Sequence, residues 1–111
     1  TALWNTVLVN TVGVTGIVSP RFPNTCDFTA TAVGSGFSIN TEYDDGVNVV
    51  NGIEWWANTN NGRVRYRYSY GIANNEYPFI VVIHLKANTL RWFDDVSNMT
   101  VTVNGRKAIV N

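Results

Sequence analysis

The segment from Arg63 to Tyr70 is the part of this chain that most restricts its fold. Arginine or serine occupies every odd position in it, and valine or tyrosine occupies every even one. Because successive side chains of a β-strand point to opposite faces, this period of two predicts a strand with guanidinium groups on one face and aromatic rings on the other. The turn residues Asn58-Thr-Asn-Asn-Gly62 precede it and predict a hairpin with a strand over residues 53–58.

Strand patterns recur through the rest of the chain. Runs of β-branched or aromatic residues alternate with Gly, Asn, Asp or Pro, and no apolar pattern of helical period is sustained. The dipeptides Asn51-Gly52 and Asn104-Gly105 predict two-residue hairpin turns. We therefore predict an all-β fold of about 9–10 short strands, arranged as an antiparallel β-sandwich, with a small β-barrel as the alternative. The predicted strands cover residues 3–10, 12–19, 26–33, 37–43, 47–50, 53–58, 63–70, 79–85, 99–103 and 107–110. The first dozen residues fit a helix as well as a strand.

Two segments need a closer interpretation. The run Phe79–Ile83 is apolar at every position, which predicts a central strand covered on both faces. Residues 89–95, which include Leu90, Trp92 and Phe93, fit either a short strand or a helical turn.

The size and charge of the chain exclude several classes of protein. A chain of 111 residues predicts a single domain, spanning residues 1–111, with one core. Eight basic and eight acidic residues cancel, so no basic excess would attract nucleic acid or an anionic membrane. The rings and cations of residues 63–70 also fall on opposite faces, whereas single-strand binders present them together. No apolar window is long enough to predict a membrane span.

The N-terminus leaves the compartment open. It lacks a basic stretch followed by an apolar one, so we predict no signal peptide. A leaderless cytoplasmic protein and a mature secreted protein would look alike at this end. The sequence Asn98-Met-Thr100 is a glycosylation sequon, and a strand-entry asparagine is its plainer interpretation.

The sequence contains few residues in arrangements that would predict catalysis or metal binding. His84 is the only histidine, and the end of an apolar strand is a common place for a packed one. Cys26 is the only cysteine, which excludes an intramolecular disulfide and a cysteine-based metal site and favours a buried thiol. Nothing in the linear order selects a catalytic carboxylate pair, and turn chemistry accounts for both Asp-Asp steps. We expect no enzymatic activity, cofactor or metal. The carboxylates that could contribute to such a pair are Glu42, Asp44, Asp45, Glu54, Asp94 and Asp95.

Aromatic and amide side chains carry the strongest functional signal. The adjacent Trp55 and Trp56 must point to opposite faces, so at most one of them belongs to the core. An apolar ring surrounded by a few amides and charges suits a sugar, whose C–H face stacks on the ring while its hydroxyls form hydrogen bonds. We therefore predict a lectin-like protein that binds glycans or glycoproteins without catalysis. The predicted ligand-binding residues are Trp55, Trp56, Asn58, Asn60, Asn61, Asn74, Glu76 and Tyr77.

Other interpretations of the same residues remain open. One tryptophan and the tyrosine row would simply fill the core, with the arginine row solvated or paired to Glu42 and Glu54 across strands. A low-charge surface with an extra exposed aromatic also fits self-assembly, and we predict a homodimer through the apolar segment 2–9. Engagement of membrane lipid, as in cytolysins, is a third possibility, without an amphipathic helix to support it.

Three short fragments carry a family resemblance: Tyr70-Gly-Ile-Ala73, the strand Ile80-Val-Val-Ile83, and Thr1-Ala-Leu3. In these fragments, and in its length and all-β pattern, the chain resembles small fungal lectins and the fungal immunomodulatory proteins. The resemblance implies glycan binding or, in the alternative, an immunomodulatory-type assembly without a sugar site. No residue role is carried over from either family.

Overall fold

The computed structural model describes residues 8–21, 26–67 and 77–110. The all-β prediction is confirmed: this part of the chain has no α-helix and only one turn of 3₁₀ helix, Val96–Asn98. The ambiguous segment 89–95 contributes a short strand. The strands are β1 Leu8–Val9, β2 Thr11–Thr15, β3 Thr31–Val33, β4 Phe37–Ile39, β5 Ile53–Thr59, β6 Gly62–Tyr66, β7 Phe79–Ile83, β8 Leu85–Ala87, β9 Trp92–Phe93, β10 Thr100–Val103 and β11 Arg106–Lys107.

The described strands form open sheets, and none of these sheets closes into a barrel. Five of the seven strand pairings are antiparallel, and two, β1 with β9 and β2 with β10, are parallel. The antiparallel prediction is therefore correct for most pairs and wrong for these two. Side chains alternate with the same period in both kinds of ladder, so the sequence pattern does not distinguish them.

The described residues divide into two compact units. The first unit comprises residues 8–17, 30–39 and 85–110, and the second comprises residues 18–21, 26–29, 40–67 and 77–84. The first unit contains a four-stranded sheet in the order β11-β10-β2-β3 and the pairs β1–β9 and β4–β8. Its buried cluster consists of Val9, Val12 and Phe37, with Leu85 and Phe93 packed against it.

The second unit contains the three-stranded sheet β6-β5-β7, in which β5 is central. Strand β5 pairs with β6 from Trp55 opposite Tyr66 to Thr59 opposite Gly62. Its pairing with β7 begins at Ile53 opposite Ile83. Alternation along β5 buries one face of the strand almost completely. Ile53, Trp55 and Ala57 are all at most 3% exposed.

Strand β7 is not the central strand that its apolar sequence predicts. Among the described residues it pairs only with β5, and all five of its residues are half-buried. An apolar run shows that both faces are partly covered, but it does not report how many strands lie beside it. The predicted strand 79–85 is also interrupted at His84, whose N–H donates to the Gly52 carbonyl and whose carbonyl accepts from the Asn40 N–H, both at 2.8 Å.

Several predicted strands are shorter than expected or missing. The predicted strand 12–19 pairs only as β2, Thr11–Thr15, and the predicted strand 37–43 only as β4, Phe37–Ile39. Residues 47–50 form only a bridge from Val50 to Ile53, because the Asp45 carboxylate accepts the N–H groups of residues 47–49 that a ladder would need. Of residues 26–33, only the last three pair as β3, although Cys26 and Phe28 keep the alternating burial. The last predicted strand, 107–110, is paired only as β11.

Candidate functional site

The two tryptophans of β5 lie on opposite faces of the three-stranded sheet, as alternation predicts. Trp55 is in register with Tyr66 and Val81, whereas Trp56 is in register with Arg65 and Ile80. We call the side with Trp56 the Trp56 face. Its side chains from β5 and β6 are Glu54, Trp56, Asn58, Arg63 and Arg65.

Trp55 is the core tryptophan. Its side chain is buried, and its indole N–H donates to the carbonyl of Asp27 at 2.6 Å. The ring meets Phe79 edge to face at 6.4 Å between centroids, and Phe79 in turn meets Tyr66 at 5.2 Å. Since its ring is enclosed and its only donor is occupied, Trp55 drops out of the candidate site.

Trp56 is half-buried and carries a guanidinium group against its ring. The central carbon of the Arg65 guanidinium lies 4.6 Å from the ring centroid. A cation in this position is attracted by the ring quadrupole, by about 0.5–1 kcal/mol at exposed sites and more where water is excluded. The contact fixes the orientation of the indole on the sheet.

Glu54 holds Arg65 in place. The side chain of Glu54 is only 9% exposed. Arg65 Nη2–H donates to Glu54 Oε2, and His84 Nε2 lies 2.9 Å from Glu54 Oε1. The Nε–H of Arg65 is buried with no acceptor among the described residues. The prediction that the arginine row pairs with Glu54 across strands is confirmed at Arg65.

His84 extends this network to a fifth side chain. The Tyr43 ring lies against the His84 imidazole at 4.4 Å between centroids and 30° between planes. The chain of contacts thus runs from Tyr43 through His84, Glu54 and Arg65 to Trp56. Sequence reasoning missed this link to His84, because only the β5–β7 register brings residue 84 beside residue 54. Both oxygens of the Glu54 carboxylate are thus engaged, Oε2 by Arg65 and Oε1 by His84.

The open end of the Trp56 face carries Asn58 and Arg63, which are in register with each other and exposed. The hairpin turn beyond them holds Asn60 and Asn61, also exposed. The Thr59 hydroxyl fixes this turn, since it donates to the Gly62 carbonyl at 2.6 Å and accepts from the backbone N–H of residue 61 at 3.3 Å. The backbone of the turn that carries Asn60 and Asn61 is therefore held in a defined conformation.

The structure brings together only part of the predicted site. Trp56, Asn58, Asn60 and Asn61 lie on one face and the turn beside it. Tyr77 lies in a cleft of about 320 Å³ with Phe79, which belongs to the Trp55 side of the sheet. The other lining residues are Ser19, Pro20 and Arg21. Asn74 and Glu76 lie outside the described residues.

The local structure around the Asp45 carboxyl and the Cys26 thiol shifts the pKa of each group. The backbone N–H groups of Val49, Val47 and Asn48 lower the pKa of the Asp45 carboxyl, with a smaller contribution from the nearby charge of Arg65. Burial raises the pKa of the Cys26 thiol to about 11, so at neutral pH it is protonated and a poor nucleophile. Across the described ranges, no three His, Cys, Asp or Glu side chains are grouped so that they could hold a metal ion.

The fold and the site define an all-β protein that holds a half-buried tryptophan against an arginine on one sheet face, beside an asparagine-containing hairpin turn. No protein-family model, curated protein or solved structure matches the chain. The resemblance to fungal lectins and immunomodulatory proteins is thus not accompanied by a family match. Within the described part, no helix is long and apolar enough to cross a membrane.

Proposed function

We propose that this protein binds glycans without changing them chemically, through the Trp56 face. The observation that carries the proposal is the half-buried Trp56 ring, held by Arg65 and Glu54 on the central strand β5, with exposed Asn58 and Arg63 beside it. A ring that is fixed before binding loses little freedom when a ligand arrives. An apolar platform with a few placed polar groups is the general design of a small-ligand site.

In this proposal the sugar lies against the exposed part of the Trp56 ring. The amides of Asn58, Asn60 and Asn61 donate to and accept from its hydroxyls, because each amide carries both kinds of group. Asn74, Glu76 and Tyr77 stay in the predicted site but carry no part of this argument. The packing of the sheets as an antiparallel sandwich and the homodimer also belong to the proposal, and a dimer would supply two sites for cross-linking glycans.

A glycan array followed by calorimetry on the strongest hit tests the proposal. Trp56→Ala should weaken binding at least about tenfold, equivalent to about 1.4 kcal/mol. Trp92→Ala is the matched control, because Trp92 is a 56% exposed tryptophan of the first unit whereas the Trp56 face belongs to the second, and its loss should leave the affinity unchanged. An array without hits, together with unchanged tryptophan fluorescence on sugar titration, would contradict the proposal.

Self-assembly without sugar binding is the second candidate, favoured by exposed apolar side chains in the first unit. Leu90 is 74% exposed, Trp92 56% and Ile109 90%. Exposed aromatic and aliphatic groups of this kind are enriched at interfaces. This candidate predicts a stable dimer by light scattering, weakened by Leu90→Ser or Trp92→Ser, with no response to any sugar. Leakage of lipid vesicles would instead point to the membrane-binding alternative.

A further inference from the structure

The arginines of the Trp56 face differ in how their charge is balanced. Arg65 is paired with the buried Glu54 and also lies near Asp45. Arg63 is exposed and has no hydrogen bond or ion pair with any residue of the described ranges, and the residue opposite it is the neutral Asn58. Among the described residues, nothing therefore compensates the charge of the Arg63 guanidinium.

This uncompensated charge lies next to the proposed platform. Asn58 is directly opposite Arg63, and Trp56 is diagonal to Arg63 on the same face. Directly opposite residues have Cβ atoms about 5 Å apart, and diagonal ones about 7–8 Å apart. A ligand that rests on the indole and bonds to the Asn58 amide therefore lies within reach of the Arg63 guanidinium. The chain as a whole carries no net charge, so the positive charge is a local property of this corner.

Resting on the proposed glycan-binding function, we infer that the ligand is an acidic saccharide, with a carboxylate or sulfate group held by Arg63. A guanidinium offers two parallel N–H groups that match the oxygens of such an anion, and a charge-assisted pair is about twice as strong as a neutral hydrogen bond. A sugar hydroxyl would use only part of this geometry. A nucleic acid would need several uncompensated cations along its backbone, whereas this corner supplies one.

Calorimetry with one oligosaccharide backbone in three forms, neutral, carboxylate-bearing and sulfated, tests the inference. At least one acidic form should bind about tenfold more tightly than the neutral form at low salt, and its advantage should shrink as salt is added. Comparison of the two acidic forms identifies the anion. Arg63→Gln should reduce the acidic form to the affinity of the neutral one, and Arg63→Lys should retain part of the advantage because it keeps the charge without the paired N–H groups.

Arg106→Gln is the matched control, since Arg106 is an exposed strand arginine of the first unit and its loss should change nothing. Equal affinity for all three forms, unaffected by Arg63→Gln, would overturn the inference and leave the glycan-binding function intact. If no form binds and tryptophan fluorescence does not respond, the proposed function fails and the inference fails with it. Tighter binding of a single-stranded oligonucleotide than of either acidic form would overturn the acidic-saccharide assignment in favour of nucleic acid.

Discussion

Glu54 is the residue on which the orientation of the Trp56 face depends. Its buried carboxylate is bonded to Arg65 on one side and lies beside His84 on the other. Removal of one partner from such a group is costly, because the remaining donors lose their acceptor in a place that water reaches poorly. The guanidinium that lies against the Trp56 indole then loses its carboxylate partner.

Glu54→Ala should lower the free energy of unfolding by about 1–3 kcal/mol. The lower part of the range reflects the side chain of Arg65, which is 37% exposed, so that water replaces part of the lost interaction. Urea denaturation measures the effect. Asp95→Ala is the control, since Asp95 is an exposed carboxylate without a side-chain capping hydrogen bond and its replacement should cost less than about 0.5 kcal/mol. Equal losses in the two variants would show that the Glu54 network adds nothing specific to stability.

At the scale of the residue, the sequence predicts on which face of a strand a side chain lies, but not which distant residues it contacts. Alternation alone places Trp55 and Trp56 on opposite sides. Which of them is buried depends on the Asp27 carbonyl and the Phe79 ring, which come from distant parts of the chain. His84 is a lone histidine in the sequence, and its contact with Glu54 follows only from the strand register.

At the scale of the element, the hairpin turns follow local chemistry most closely. Asn51 and Gly52 have φ values of 55° and 76°, and Asn104 and Gly105 have values of 51° and 81°, as the predicted two-residue turns require. The β5–β6 hairpin was predictable because strict alternation and turn residues agree. The strand predicted at 47–50 was not, because a single carboxylate, Asp45, takes the N–H groups of three residues out of any ladder.

Gly52 should be the least replaceable glycine of these turns. An alanine there would adopt a positive φ, and its Cβ would fall on the carbonyl oxygen of Asn40. We expect Gly52→Ala to cost at least about 3 kcal/mol in unfolding free energy. Gly46→Ala is the matched control, with a φ of +73° and no atom within 4 Å of the added Cβ, and should cost only about 1–2 kcal/mol. Thermal or urea denaturation of the two variants separates the effect of the contact with Asn40 from that of backbone strain. Equal losses of unfolding free energy would mean that Asn40 moves aside.

At the scale of the whole molecule, the strand order and the parallel pairs were beyond the reach of the sequence. β2 and β10 pair although almost the whole chain separates them, and no local pattern marks two such segments as neighbours. The division into two units is equally invisible along the chain, since each unit is assembled from separate segments. What local patterning does predict, the all-β class and the faces of β5 and β6, is what the candidate site depends on.

The connectivity of the units argues that the chain unfolds in one step. The chain passes from one unit to the other after residues 17, 29, 39 and 84. Independent domains are usually joined by few, flexible connections, and a unit of about half this chain would bury too little surface to be stable by itself.

We therefore predict a single transition, in which labelling of the Cys26 thiol and far-UV circular dichroism share one urea midpoint. The Cys26 thiol belongs to the second unit and reports on its opening. Burial raises the pKa of this thiol to about 11 and protects it from labelling at pH 8 until that unit opens. The dichroism reports on the strands of both units. Labelling complete at a urea concentration where part of the dichroism signal remains would show two domains instead of the predicted one.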